Sequence, residues 1–269
     1  MKASTMKSKR VLIGLGFVAF WILLWELCST LIDLEMAIPH PIPTLKYLLE
    51  MMLPIRDPAM TLSFWTVIYY STGRIVHGFL LGILVGISLF LLERLAPWLH
   101  IGISQLMVAV KTAPVASFIL VLMFLTGSDT VPTMISLLMV VPIVYQSTYD
   151  AYREMNAALL EMLDVFRVPL IRRIRIFILP ELVRYLSPAL ISAAGLAWKA
   201  GIAAEALAYT KNSIGRGMKD ASAFFEGEPV FAWTIAVIGL SLLMEFGLKK
   251  LKERFTQDGH NSQKHTKEV

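Results

Sequence analysis

Six long apolar runs limit how this chain can fold more than any other feature of its sequence. They lie at residues 11–35, 65–92, 98–125, 131–149, 183–207 and 229–248. Each carries few or no charges and approaches or exceeds the roughly 20 apolar residues that cross a bilayer as a helix. We therefore predict an all-α integral membrane protein with six transmembrane helices.

The composition agrees with this fold class and excludes several others. Of the 269 residues, 56% are hydrophobic and 17% are charged, whereas soluble domains hold about 45–50% and about 25%. Large soluble domains are therefore excluded. Cys28 is the only cysteine and lies inside the first run, so neither a disulfide framework nor a zinc site is expected.

Positive residues are concentrated on one side of the predicted spans. With the N-terminus inside, the inner segments hold 17 Lys and Arg and the outer segments hold 5. The side with the excess stays in the cytoplasm. We therefore expect a plasma or inner membrane protein with both termini cytoplasmic. The pI of about 9.3 then reflects topology and gives little support to nucleic-acid binding.

The domain organisation follows from these spans. Residues 1–10 form a cytoplasmic N-terminus, residues 11–254 form the transmembrane domain, and residues 255–269 form a polar cytoplasmic tail that we expect to be disordered. The basic start resembles a secretory signal, but no small-residue cleavage site follows the first run. We interpret that run as an uncleaved anchor.

The cytoplasmic loop at 150–182 is the longest inner segment. It begins with strong helix formers, and an apolar stripe at helical spacing consists of Leu159, Met162, Leu163 and Phe166. Pro169 should end this helix near Arg167, and a basic, apolar segment from Leu170 should follow. From the residues alone, this helix could rest on lipid or dock on a partner.

The loop resembles the cytoplasmic signature of permease subunits of ABC (ATP-binding cassette) importers. That motif begins Glu-Ala-Ala, has Gly six residues after the Glu, and closes on Leu-Pro. Its places are taken here by Glu161-Met162-Leu163, Arg167 and Leu179-Pro180, without the two alanines and the glycine. The resemblance implies a coupling helix that sits in a groove of an ATPase subunit. Its contact residues would be Glu161, Met162, Leu163, Phe166 and Arg167.

Other segments resemble the nitrate, sulfonate and taurine branch of that family, over roughly residues 36–250. They are the proline-rich stretch 38–44, Lys111-Thr112-Ala113-Pro114, the segment 142–147, and the run from Gly195 to Glu205. The resemblance implies a type I importer permease fold and a pathway formed by two copies. It also implies that an external binding protein delivers the solute and that ATP is used by the partner subunit. No metal or cofactor is expected in this chain.

Glycines and charges inside the spans are candidate packing and pathway residues. Gly78, Gly82 and Gly86 make one smooth helix face that suits close helix packing. Arg74 and His77, near the outer start of the second span, are interpreted as interface or packing residues.

Lys111, Lys199 and Glu205 need partners or water, because a charge at mid-bilayer costs about 2.5–3.5 kcal/mol. Lys199 and Glu205 are six residues apart and do not face each other on one helix. Lys111 or Lys199 could line a pathway for an anion, or pair between helices, or reach an interface.

The leading hypothesis is an import permease for a small, anionic solute such as nitrate, a sulfonate, taurine or a vitamin precursor. The alternative is an ion-coupled secondary transporter or channel, against which stands the lack of an inverted repeat. A membrane-embedded enzyme is a third class, but the five histidines form no cluster. The chain also lacks a Gly-x-x-x-x-Gly-Lys-Ser/Thr phosphate loop, so we do not expect it to hydrolyse ATP.

Overall fold

A computed structural model describes residues 2–32, 36–55, 58–155 and 157–265. Of these, residues 2–12, 157–160, 170, 251 and 254–265 are described by their backbone only. Every regular element in these ranges is helical, which confirms the predicted all-α class. The eleven α-helices described are α1 Lys2–Ile32, α2 Pro41–Met52, α3 Pro58–Leu95, α4 His100–Thr112, α5 Val115–Thr126, α6 Val131–Glu154, α7 Ala157–Val165, α8 Leu170–Arg173, α9 Leu179–Ala208, α10 Ile214–Ala223 and α11 Gly227–His265.

Five helical stretches in the described part of the chain are long and apolar enough to cross a membrane. They are Ile13–Ile32, Pro58–Leu95, Val131–Glu154, Ile171–Ala208 and Gly227–Lys250. A sixth crossing is available if the bent pair Pro97–Thr112 and Val115–Thr126 is one span. We call the end of the bundle with segments 38–40, 127–130 and 209–226 the outer face, and the end with residues 150–182 the inner face.

The predicted span at 98–125 is divided in the structure, where α4 and α5 meet at an angle of 103°. Ala113 has an extended backbone, as a residue before proline prefers, and Pro114 begins the new helix. His100, at the start of α4, forms a hydrogen bond with Glu93 near the inner end of α3. Ser128, just past α5, accepts a hydrogen bond from Thr210 at the outer face. The bent pair therefore joins the two faces as one broken span.

Helix α6 is the centre of the bundle, since it packs along both α3 and α9 and has the largest buried share of any span described. Its contact with α3 is close because Gly78, Gly82 and Gly86 are all buried against it. Helix α9 adds Trp198, which is buried and donates from its indole nitrogen to the Val237 carbonyl of α11.

Helix α1 is joined to the rest mainly near its outer end. Trp25 stacks on Phe231 of α11 with ring centroids 5.5 Å apart, and Ser29 donates to the Ile38 carbonyl at 2.8 Å. By contrast, most side chains between residues 13 and 23 are exposed. The rest of the described chain therefore leaves residues 13–23 of α1 uncovered.

The ends of the chain differ from the prediction in one respect. The tail that we expected to be disordered continues α11 as far as His265, even though Thr256, Asp258, Gly259 and Asn261 within it have low helix propensity. Residues 266–269, and residues 33–35 of the predicted first span, lie outside the described residues.

We expect Gly78→Ala to loosen the contact of α3 with α6. The new Cβ would lie 2.2 Å from the Thr133 carbonyl oxygen and 2.8 Å from Ser136 Cβ, and backbone atoms cannot move aside without separating the helices. The expected loss is about 1–3 kcal/mol of stability, measured as a lower Tm of the purified protein.

Gly73→Ala is the matched control on the same helix, because its Cβ would meet nothing within 4 Å. Alanine also favours helix over glycine by about 1 kcal/mol. Equal Tm values for the two variants would contradict the close contact.

Candidate functional site

The inner loop contains a short helix, as its sequence predicts. Helix α7 ends at Val165, and α8 begins at Leu170 after Pro169. A π-helical turn at Ile174–Ile178 then joins α8 directly to α9. The loop is therefore connected to a membrane span without an intervening coil.

Arg167 closes α7 in a left-handed conformation with φ +48°. The Val168 amide donates to the Leu163 carbonyl, and the Arg167 amide donates to the Asp164 carbonyl. This is the hydrogen-bond pattern of a Schellman end, in which the left-handed residue is usually glycine. Arg167 therefore adopts the conformation that the glycine of the family motif would favour, at the same place in the chain.

The end of α7 presents an apolar surface to solvent. Val165 is 79% exposed and Phe166 is 72% exposed, with Met162 also exposed and Leu163 partly buried. Glu161 is exposed beside them. This places four of the five predicted coupling residues on or beside the free end of α7, and Arg167 forms its terminus.

An ion pair that sequence reasoning missed fixes this loop. Asp164 and Arg173 lie on the two sides of Pro169, and their side chains approach to 2.6 Å. Their signal in the sequence is only a pair of opposite charges nine residues apart. The pair holds α7 against the segment that leads into α9.

Glu205 lies at the opposite end of α9, fully buried. Its Oε2 accepts hydrogen bonds from Ser71 Oγ at 2.9 Å and from the Gly215 amide at 3.2 Å. Ser71 Oγ in turn accepts from the Ile214 amide. The carboxylate thus faces the first turn of α10, where a negative charge is favourable.

Arg74 completes this outer network. Its guanidinium lies 3.9 Å from Glu205 Oε1 and donates to the carbonyls of Lys211 and Asn212 at 3.0 and 3.2 Å. Glu205 needs a partner or water inside the membrane, and the structure supplies Ser71 and Arg74 from α3. The sequence could not identify them, because Ser71 and Glu205 are separated by 134 residues.

Lys199 and Lys111 are both exposed. Lys199 belongs to a stripe along α9 that the rest of the chain leaves open, formed by Ser192, Leu196, Lys199, Ala203 and Leu207. Lys111 lies in the last turn of α4, next to the break at Ala113. Within the described residues, neither lysine has a hydrogen bond or ion pair, and no group of three His, Cys, Asp or Glu side chains could hold a metal.

Comparison with known proteins relates the chain to a family of transport components. Residues 78–257 match the family described as the inner membrane component of binding-protein-dependent transport systems. The matched region is more than half of the chain and includes the inner loop, Lys199 and Glu205. No curated protein matches the chain.

Two substitutions of Glu205 test whether its acceptor oxygen or its negative charge matters more for stability. Glu205→Ala leaves the Ser71 hydroxyl and the Gly215 amide without their acceptor, and a buried unpaired donor costs about 1–3 kcal/mol. Glu205→Gln keeps an acceptor oxygen. We expect Glu205→Ala to lower Tm more than Glu205→Gln does, and to speed proteolysis of segment 209–213. An equal effect of both would show that the charge facing Arg74 matters more than the acceptor.

We expect Arg167→Gly to stabilise the end of α7. A left-handed conformation costs a residue with a side chain about 1–2 kcal/mol, and glycine adopts it freely. Hydrogen exchange at the amides of residues 166–168 should slow. Arg167→Val is the control, because a β-branched residue resists positive φ. In this variant the amides of residues 166–168 should exchange faster than in the wild type. Unchanged exchange in both variants would contradict the strain at this residue.

Proposed function

The chain belongs to the family of binding-protein-dependent transport system inner membrane components, and we propose that α7 is its contact with the ATPase that drives transport. Members of this family are permease subunits of ABC transporters, are not enzymes themselves, and work with an ABC ATPase. The observation that carries the proposal is the exposed apolar end of α7 in the only long loop of the inner face described.

The exposed end of α7 suits the helix-in-groove form of recognition. Met162, Val165 and Phe166 would insert as apolar anchors, and Glu161 would stay at the polar rim. The Asp164–Arg173 pair and the π-helical turn connect this helix to α9. A displacement of α7 by the ATPase would therefore reach a membrane span directly.

The open stripe of α9 is our candidate for the solute pathway. Two copies of the chain, facing each other across such stripes, would enclose a passage that one copy leaves open. Lys199 would then face the passage, and Lys111 would sit at the broken span. Two unpaired lysines favour a small anion, in keeping with a nitrate, sulfonate or taurine type of solute. We leave Glu205 outside this passage, because its contacts are with α3 and α10.

The inner and outer faces of the bundle would lie on opposite sides of the membrane. The excess of Lys and Arg on the inner segments supports cytoplasmic termini in a plasma or inner membrane. The outer face would then receive solute from an external binding protein, because the family consists of components of binding-protein-dependent transport systems. The chain itself would bind no cofactor, and its partner would use ATP.

Co-purification with the partner ATPase tests the role of α7. Phe166→Asp and Met162→Asp place a charge on the proposed anchors, and each should reduce the ATPase recovered by about tenfold or more, as at an interface hot spot. Phe224→Asp is the matched control, because Phe224 is equally exposed, at 75%, but lies at the outer face.

Two results would contradict the proposal. One is full recovery of the ATPase with both α7 variants. The other is an equal loss with Phe224→Asp, which would indicate a general effect of the added charge. Equal Tm values for all three variants would show that the comparison is between folded proteins.

A further inference from the structure

Helix α2 has three distinct faces, and its packing explains only one of them. The face with Pro41, Thr44, Leu48 and Met51 is buried, against α11 and α3. A second face carries Ile42, Leu45 and Leu49, which are 78%, 44% and 52% exposed. The third face carries Lys46 and Glu50. At 100° per residue, the second and third faces point in different directions away from the bundle.

Two tryptophans fix both ends of this helix. Trp25 of α1 donates from its indole nitrogen to the Pro39 carbonyl at 2.9 Å, just before α2 begins. Trp65 of α3 donates in the same way to the Met52 carbonyl at 3.1 Å, where α2 ends. Tryptophan is enriched at the boundary between lipid and water. Both anchors therefore place α2 at that boundary.

The depth of segment 38–40, which precedes α2, agrees with the placement of α2 at the boundary between lipid and water. Glu26 and Ser29 of α1 bond His40 and the Ile38 carbonyl, and they lie three to six residues before the end of the apolar stretch Ile13–Ile32. At a rise of 1.5 Å per residue, this is about 4.5–9 Å below the end of the span. An amphipathic helix at the interface buries its apolar face to about 5–10 Å.

Carboxylates lie around Tyr47, which neighbours the third face of α2 on the side of Glu50. Tyr47 lines a cleft with Glu226 and Glu228 at the start of α11. Burial, followed by these two carboxylates and Glu50, raises the pKa of the Tyr47 hydroxyl above its ordinary value. A surface with three carboxylates would not face acyl chains. This leaves the Ile42–Leu45–Leu49 face as the side toward the membrane.

We propose that α2 is an interfacial helix whose Ile42–Leu45–Leu49 face rests on the lipid of the outer-face leaflet. The partner is the bilayer itself. The proposal depends only on the membrane location of the chain. It holds whichever solute is carried and whichever element binds the ATPase.

Site-directed fluorescence quenching in a bilayer tests the proposal. Single-cysteine variants Ile42→Cys, Leu49→Cys and Lys46→Cys are made in a Cys28→Ser background, labelled with bimane and reconstituted in phosphatidylethanolamine–phosphatidylglycerol nanodiscs. Lipid with a nitroxide near the headgroup should quench the labels at 42 and 49 at least about twofold more than the label at 46. Iodide in the water should give the reverse order.

The controls separate lipid from other occupants. Thr44 is fully buried on the same helix. The cysteine of Thr44→Cys should therefore react with bimane only after unfolding, which would verify that the helix is packed as described. Labels at 42 and 49 that are shielded from both quenchers would mean that a second copy or another protein covers the face. Labels at all three positions that iodide quenches equally would mean that α2 stands in water. Either result would overturn the proposal.

Discussion

The close approach of α3 to α6 is the contact on which the rest of the structure depends. Bilayer lipid is as apolar as the helix surfaces, so burial alone does not hold spans together, and tight packing must do so. Gly78, Gly82 and Gly86 leave no room for a Cβ, and this lets α6 lie at van der Waals distance along α3. With α6 in place, α9 can pack on both helices. The inner loop and the outer network are then attached to the two ends of α9.

Helix α9 links two sites that differ in chemistry. Its 30 residues make a rod of about 45 Å, which begins at the π-helical turn and ends at Tyr209. At one end, α7 is exposed, apolar and held by the Asp164–Arg173 ion pair. At the other end, Glu205 is buried and bonded to α3 and α10. A continuous helix with an exposed apolar helix attached at one end and a buried polar network at the other would carry a displacement of α7 along its length.

Sequence and structure agree where the determining interactions are local. Apolar length predicted the spans, glycine spacing predicted a packing face, and Pro169 predicted where the short loop helix ends. The bend at Ala113 was not predicted, because a proline within an apolar run is compatible with either a kink or a break. The partners of Glu205 could not be found either, since they depend on how distant helices meet. The Asp164–Arg173 pair likewise exists only once the chain has turned at Pro169.

The exposed stretch of α1 between residues 13 and 23 has a consequence for how this sequence can change over evolutionary time. Side chains such as Phe17, Phe20 and Leu23 are more than half exposed, and in the membrane they would meet acyl chains, which accept any apolar residue of similar size. Selection on this stretch would therefore preserve hydrophobicity and length while leaving residue identity free to drift. The outer third of α1 is under a different constraint, because Trp25, Glu26 and Ser29 each have a specific partner. Within one helix, adjacent turns would thus diverge among relatives at clearly different rates.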